Sequence, residues 1–174
     1  MPTVYFGPSG SARPFTHHEI QFFLRVINDS RSWPKIAEWK QSLYLSDGAD
    51  WQVVLEKDSY ISHWIETLYG RRDTEKGLSV TFMDLKPRLT AFSFENWQRV
   101  PGPLQGLYSR NDYRHYVINH ELGHVLGYDH PVRPLDLTNQ AMEAPIMLQH
   151  TRGIANFRKN IWPLASEKIK RPTL

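Results

Sequence analysis

Residues 111–130 read NDYRHYVINHELGHVLGYDH, and the last eleven positions, HELGHVLGYDH, decide how the rest of the chain is read. His120 and His124 are four apart, so on a helix they lie one turn above each other on the same face. That separation lets two imidazoles meet one ion, the reason this spacing recurs in zinc hydrolases. Glu121 falls between them, beside the metal but angled to hold a water instead of the ion. A catalytic zinc generally takes three protein ligands and keeps one position open. His130 is the third: Gly127 breaks the helix, the chain reverses, and His130 returns toward the same ion. Shuffling this composition reproduces the whole pattern on the order of once in 20,000 chains, so accident is set aside in favour of a metal site.

Outward from this segment, Asn111 or Asp112 is expected to cap the helix and Gly127 to end it in a left-handed conformation. Upstream, Thr16 and Glu19 have the spacing of a capping box. Beyond them Ile20, Phe23, Leu24 and Ile27 recur at helical period to about Asn28. Asp58 is expected to cap a second helix, carrying Ile61, Trp64, Ile65 and Leu68 on one face and stopping at Gly70. Strands are expected at 3–6, 39–45, 51–56, 78–83 and 89–94. The pair 39–45 and 51–56 is read as a hairpin about Asp47-Gly48. Residues 97–108, with Pro101, Gly102, Pro103 and Gly106, read as loop, and a short helix is expected near 153–160. The sum is an α+β fold in which a mixed twisted sheet carries the histidine helix. At 174 residues the chain 1–174 is read as a single domain with weakly ordered ends.

Composition bounds the chemistry. There is no cysteine, which excludes disulfides, Cys-ligated zinc and a thiol nucleophile. Aromatic residues make up 13% of the chain, including six Trp, enough to build a core or groove from large flat side chains. The net charge is +3 and the basic residues are scattered, so no nucleic-acid partner is expected. No apolar run is long enough to span a bilayer, and the N-terminus has no signal-peptide pattern. These features lead to the expectation of a cytoplasmic monomer without a membrane partner, with secretion left open.

HELGHVLGYDH resembles the zinc signature of the metzincin metalloproteases, and Pro131 is similar to the residue that follows it in the serralysin branch. The resemblance implies a methionine in a tight turn beneath the metal. Met147, in Ala144-Pro145-Ile146-Met147, is the expected one, ahead of Met142. A closer resemblance covers most of the chain. YRHYVINHELGH, APIMLQHT and NIWP, with NDSRSW and NWQRVP upstream, are similar to segments of small metzincin-like proteins known chiefly as an uncharacterised actinobacterial domain. Members of that group usually carry paired cysteines, absent here, and a Gln where this chain has His150.

The resemblance implies a zinc-dependent endopeptidase with one catalytic Zn2+ on His120, His124 and His130. Glu121 would take the proton of the attacking water and pass it to the leaving amine. In serralysins and astacins a Tyr two residues after the methionine adds a ligand. Gln149 stands there in this chain, so no fifth ligand is expected. The peptide or protein substrate is expected to lie as an extended strand along a sheet edge, for which residues 89–94 are the candidate. His17 and His18 read as surface residues, and His63 and His115 as structural. Asp129 is read as shaping the turn before His130. His150 is open between assisting an oxyanion and idling. The competing reading is an inactive zinc-binding interaction module of the same fold, against which Glu121 argues.

Overall fold

The run WQVVLE forms β3 (Trp51–Glu56), and its burial pattern sets the topology, because all of it but Gln52 is buried. A strand covered on both faces belongs in the middle of a sheet with helices on either side. In the computed structural model β3 lies at the centre of a five-stranded sheet, with β1 (Thr3–Phe6), β2 (Lys40–Ser42), β4 (Val80–Phe82) and β5 (Arg88–Ser93), in the order β2-β1-β3-β5-β4. The structure describes residues 1–8, 10–34, 37–45, 48–70, 78–131, 142–154 and 156–168. Pairing is parallel throughout except between β4 and β5. This is a mixed α/β arrangement with several helices about one mixed sheet, in keeping with the expected α+β class.

Parallel neighbours need crossovers, and helices supply them. α1 (His17–Asn28) links β1 to β2. α2 (Asp58–Tyr69) leaves β3 toward β4, and β5 then pairs parallel to β3. The two helices cover opposite faces. Phe23, Val26 and Ile27 of α1 pack with Val4, Trp51, Val53, Leu55 and Phe92. Ile61, Trp64 and Ile65 of α2 pack with Val54, Phe82 and Ala91. The alternation of β3 therefore divides one run between two cores.

Thr16 caps α1 as expected, with its side chain and that of Glu19 completing the box. Glu19 also ties this end of the helix to its neighbours. It accepts from both terminal guanidinium nitrogens of Arg13 and from the Trp97 indole at 2.9 Å. Gly70 ends α2 in the left-handed region, φ 63°.

Several sequence expectations are corrected. β2 and β3 form no hairpin: β1 lies between them, since a strand buried on both faces gains partners on both edges. Residues 89–94 are not the sheet edge. β5 is interior, between β3 and β4, and β4 is the edge on that side. Asp58 is not the cap of α2. Lys57 occupies that position without a side-chain hydrogen bond, and Asp58 instead accepts from Ser93 Oγ at 2.6 Å. The 97–108 stretch is not all loop, because α3 (Phe94–Gln98) runs into it and Gly102–Leu104 form a 3-10 turn. No helix forms among the described residues of 153–160. A 3-10 turn occupies His150–Arg152, and a short α5 spans Ala165–Lys168. No helix among the described residues is long and apolar enough to cross a membrane.

Candidate metal centre

The histidine segment lies on α4 (Arg110–Val125). Its cap is Ser109, not Asn111 or Asp112. Ser109 accepts from the Asp112 N–H, and the Asp112 carboxylate reaches back to the Ser109 N–H. From Tyr116 to Gly123 every residue is buried, so the helix runs through the core instead of over it. Asn119 anchors it from behind. Its Oδ1 accepts from Ser32 Oγ at 2.7 Å, its carbonyl accepts the Trp33 indole at 2.7 Å, and its Nδ2 donates to Ile161 O at 2.9 Å.

The end of α4 both reverses the chain and orients His124. Gly127 takes φ 87°, its N–H bonds His124 O, and the Tyr128 N–H bonds Gly123 O. That pair of bonds is the Schellman arrangement. Tyr128 O then accepts from His124 Nδ1 at 3.0 Å. Asp129 Oδ1 accepts the His130 N–H at 2.7 Å, which gives it the turn-shaping role expected of it. Arg88 holds the same end of α4 to the sheet by donating to Val125 O.

The structure brings His120, His124 and His130 together. His130 Nε2 lies 3.2 Å from His124 Nε2 and 3.2 Å from His120 Nε2. Ligand atoms placed 2.0–2.1 Å from an ion at tetrahedral angles lie about 3.3 Å apart; these two separations match that spacing, and all three ligand atoms lie within 4.8 Å of one another. The proton positions agree. A carbonyl oxygen only accepts, so His120 Nδ1, 2.8 Å from Ile146 O, and His124 Nδ1, 3.0 Å from Tyr128 O, carry hydrogens. Their Nε2 atoms are then unprotonated and each lies 3.2 Å from His130 Nε2, a crowding of lone pairs that a shared cation relieves. Burial pushes His120 well below its ordinary range and His124 down to about 4, and it lowers His130 as well. Neutral imidazoles are the form that ligates. These residues could hold a metal ion.

Glu121 lies beside this group and outside it. Burial pushes its carboxyl up to about 7, against the pull of the Thr81 hydroxyl. Thr81 Oγ1 donates to Glu121 Oε2 at 2.6 Å. Oε1 has no hydrogen-bond partner among the described residues. The three histidines and Glu121 open on a cavity of about 290 Å3, walled by Leu78, Val80 and Met83 on one side and Tyr113, Val117 and Gln149 on the other.

Beneath the ligands, the Leu148 N–H bonds Pro145 O at 3.1 Å, which closes a turn over Ile146-Met147. Met147 is buried, whereas Met142 is exposed. The Met147 sulfur packs so closely on α4 that a Cβ at Gly123 would lie 2.4 Å from it. Ile146 supplies the carbonyl that orients His120, so turn and ligand are directly joined.

His150 is structural. It is fully buried, stacked on Tyr116 with ring centroids 4.0 Å apart, 3.0 Å from Tyr108 Oη through Nδ1 and 2.7 Å from Pro145 O through Nε2. Both nitrogens are engaged, so neither is left for an oxyanion. His17, His18 and His63 are exposed, and His115 packs on Phe22 and Trp162. Thr81 was not singled out from sequence. The only signal was polar Ser79 and Thr81 alternating with Leu78, Val80 and Phe82.

Fold and site together define a mixed α/β protein whose buried central helix and following turn present a three-histidine group able to hold a metal. The chain belongs to the family described as Protein of unknown function (DUF3152), whose model matches residues 71–171, more than half of its 174 residues. No curated protein and no solved structure matches it.

Proposed function

We propose that this chain is a zinc metalloendopeptidase of the metzincin type. The observation that carries the reading is the gathering of three histidines, with His130 Nε2 at 3.2 Å from both partners, and a buried carboxylate beside them that stands outside the group. A purely structural zinc site closes its fourth position with a protein ligand, whereas this group opens on a cavity. The Met147 turn under the helix supports the metzincin assignment, and Gln149 lines the cavity where a tyrosine ligand would otherwise stand.

His120, His124 and His130 would hold a zinc ion, which when bound would supply an acidified water and an electrophile for the scissile carbonyl. The chain's own groups do the rest. Ile146 O and Tyr128 O fix two of the rings and raise their basicity as ligands. Glu121 Oε1 takes the proton of the attacking water and delivers it to the leaving amine. A carboxyl with a pKa near neutrality suits both halves of that transfer. The substrate lies extended along β4, whose outer side pairs with no strand among the described residues.

The test pairs metal analysis with cleavage of a mixed peptide library, for wild type and Glu121→Ala. The expected result is about one zinc per chain in both proteins, with cleavage by wild type alone. Zinc without cleavage under any condition supports an inactive zinc-binding module instead. Absence of metal, with His124→Ala behaving as wild type, removes the reading altogether.

A further inference from the structure

A chain of hydrogen bonds runs from the middle of the sheet to Glu121. Trp51 Nε1 donates to Thr90 Oγ1 at 2.8 Å, Thr90 Oγ1 lies 2.7 Å from Thr81 Oγ1, and Thr81 Oγ1 donates to Glu121 Oε2 at 2.6 Å. With Glu121 ionised, the form that takes up a proton, the direction of this series is fixed by its ends. An indole N–H only donates, and an ionised carboxylate only accepts. Thr90 therefore receives the indole hydrogen and places its own on Thr81, which places its own on Glu121. Trp51 and Thr90 are fully buried, so no solvent stands in for a missing member.

Each member is held by the fold. Thr81 and Thr90 are directly paired across β4 and β5, where threonine hydroxyls meet, and both side chains are stiff at χ1. Trp51 lies on the neighbouring β3, two residues before Val53, the partner of Thr90. Three strands thus converge on one oxygen of one side chain of α4.

We infer that Thr81 is a positioning residue for Glu121, resting on the catalytic reading above: it commits Oε2 to the sheet and leaves Oε1 as the atom that handles the proton. Because Thr81 belongs to β4, which also walls the cavity, the bond sets the depth of the base relative to a peptide lying on that strand. Without it the carboxylate is free to turn about its last torsion, and the oxygen facing the water is no longer specified. The loss falls on the chemical step, since Thr81 contributes nothing to holding the ligands.

Thr81→Val keeps the shape and removes the hydroxyl, and Thr81→Ser restores it. The expected result for Thr81→Val is zinc content close to wild type, a Tm lower by about 2–12 °C because the buried Thr90 hydroxyl and Glu121 Oε2 lose their partner, KM within twofold, and kcat lower by about 10–100-fold, the order lost when a reacting group is misplaced. Thr81→Ser should recover most of the lost kcat. A second measurement needs neither zinc nor turnover: the 15N–1H resonance of the Trp51 indole, recorded with and without chelator. Glu121→Ala should shift it in the wild-type background and leave it in place in Thr81→Val, because the series is already broken there. Equal kcat for Thr81→Val and wild type, or equal impairment of the Val and Ser variants, overturns the inference. So does an indole shift on Glu121→Ala that persists in Thr81→Val. If wild type cleaves nothing, the peptidase reading falls, and the indole measurement still decides whether Thr81 holds Glu121.

Discussion

Replacing Gly123 with alanine tests the packing beneath the three histidines. A glycine inside a helix ordinarily costs about 1 kcal/mol relative to alanine, so on propensity alone the change stabilises. The structure reverses that sign. A Cβ here would lie 2.4 Å from Met147 Sδ and 2.8 Å from Trp33 Cζ2. The sulfur is not the free end of its side chain and is buried in the turn, so it moves only at a cost, and the indole beside it does not yield. It is stacked on Tyr128 at 4.3 Å and bonded to Asn119 O at 2.7 Å. Overpacking of this kind costs about 2–3 kcal/mol. Less the gain in propensity, the net loss is about 1–2 kcal/mol, which in a domain of this size lowers Tm by about 2–8 °C. Metal affinity should fall with it, because the displaced turn carries the Ile146 carbonyl that orients His120. The assay is thermal and urea unfolding of Gly123→Ala, Met147→Ala and the double variant. The substitution at 123 should be better tolerated once the sulfur is gone, with a coupling of about 1 kcal/mol. A neutral or stabilising Gly123→Ala, or additive single effects, would refute the packing argument.

Chelation should destabilise the loaded protein. Free zinc at 100 times its Kd adds about 2.7 kcal/mol, so its removal should lower Tm by about 5–11 °C, and His124→Ala should abolish the response in a calorimetric scan. Glu19 should dominate part of the acid limb. Burial alone would raise its pKa, but hydrogen bonds from Arg13, Thr16 and Trp97 bring it from 4.5 down to about 2. A depressed carboxylate stabilises the fold above its unfolded pKa, and the contribution, about 3 kcal/mol, is lost as pH falls from about 4.5 through 2. Glu19→Gln should flatten that part of a stability–pH curve, and an unchanged curve would show that the network is worth little. His150→Ala should cost about 2–4 kcal/mol, since it removes a buried stacked ring and strands its hydrogen-bond partners. His150→Gln should cost less in urea unfolding, because an amide can still donate to Pro145 O.

What the sequence revealed follows the range of the interactions concerned. His120, His124, Gly127 and His130 are legible because ligand spacing, helix period and a left-handed stop all act within eleven residues. The Ser109 cap lies inside that range too, but the Asn111-Asp112 pair drew attention from the Ser-x-x-Asp box that forms. The Asp47-Gly48 hairpin failed for the opposite reason. A local turn signal was outweighed by β3, which is buried on both faces and takes β1 and β5 as its neighbours. That same burial moved the sheet edge from β5 to β4. α3 was obscured by the prolines and glycines just after it. Thr81 could not be assigned, since its partner Glu121 is 40 residues away and only the sheet register sets Thr81 opposite Thr90. Met147 was nameable from resemblance, but its contact with Gly123 needed coordinates.

The longest pairing in the sheet, six residues of β3 against six of β5, joins two stretches of chain that carry different parts of the protein. The three histidines, the carboxylate and the methionine turn all come from within the family-matched region, 71–171. The central strand, both covering helices, and the Ser32 and Trp33 side chains that pin Asn119 come from before it. A fragment starting near residue 71 would keep every residue of the site and only the β4–β5 pair of the sheet, and an isolated two-stranded pair is marginal in water. For anyone trimming, fusing or transplanting this protein, the unit of inheritance is therefore larger than the unit of chemistry: a graft that carries the histidines must bring β1, β2 and β3 with them.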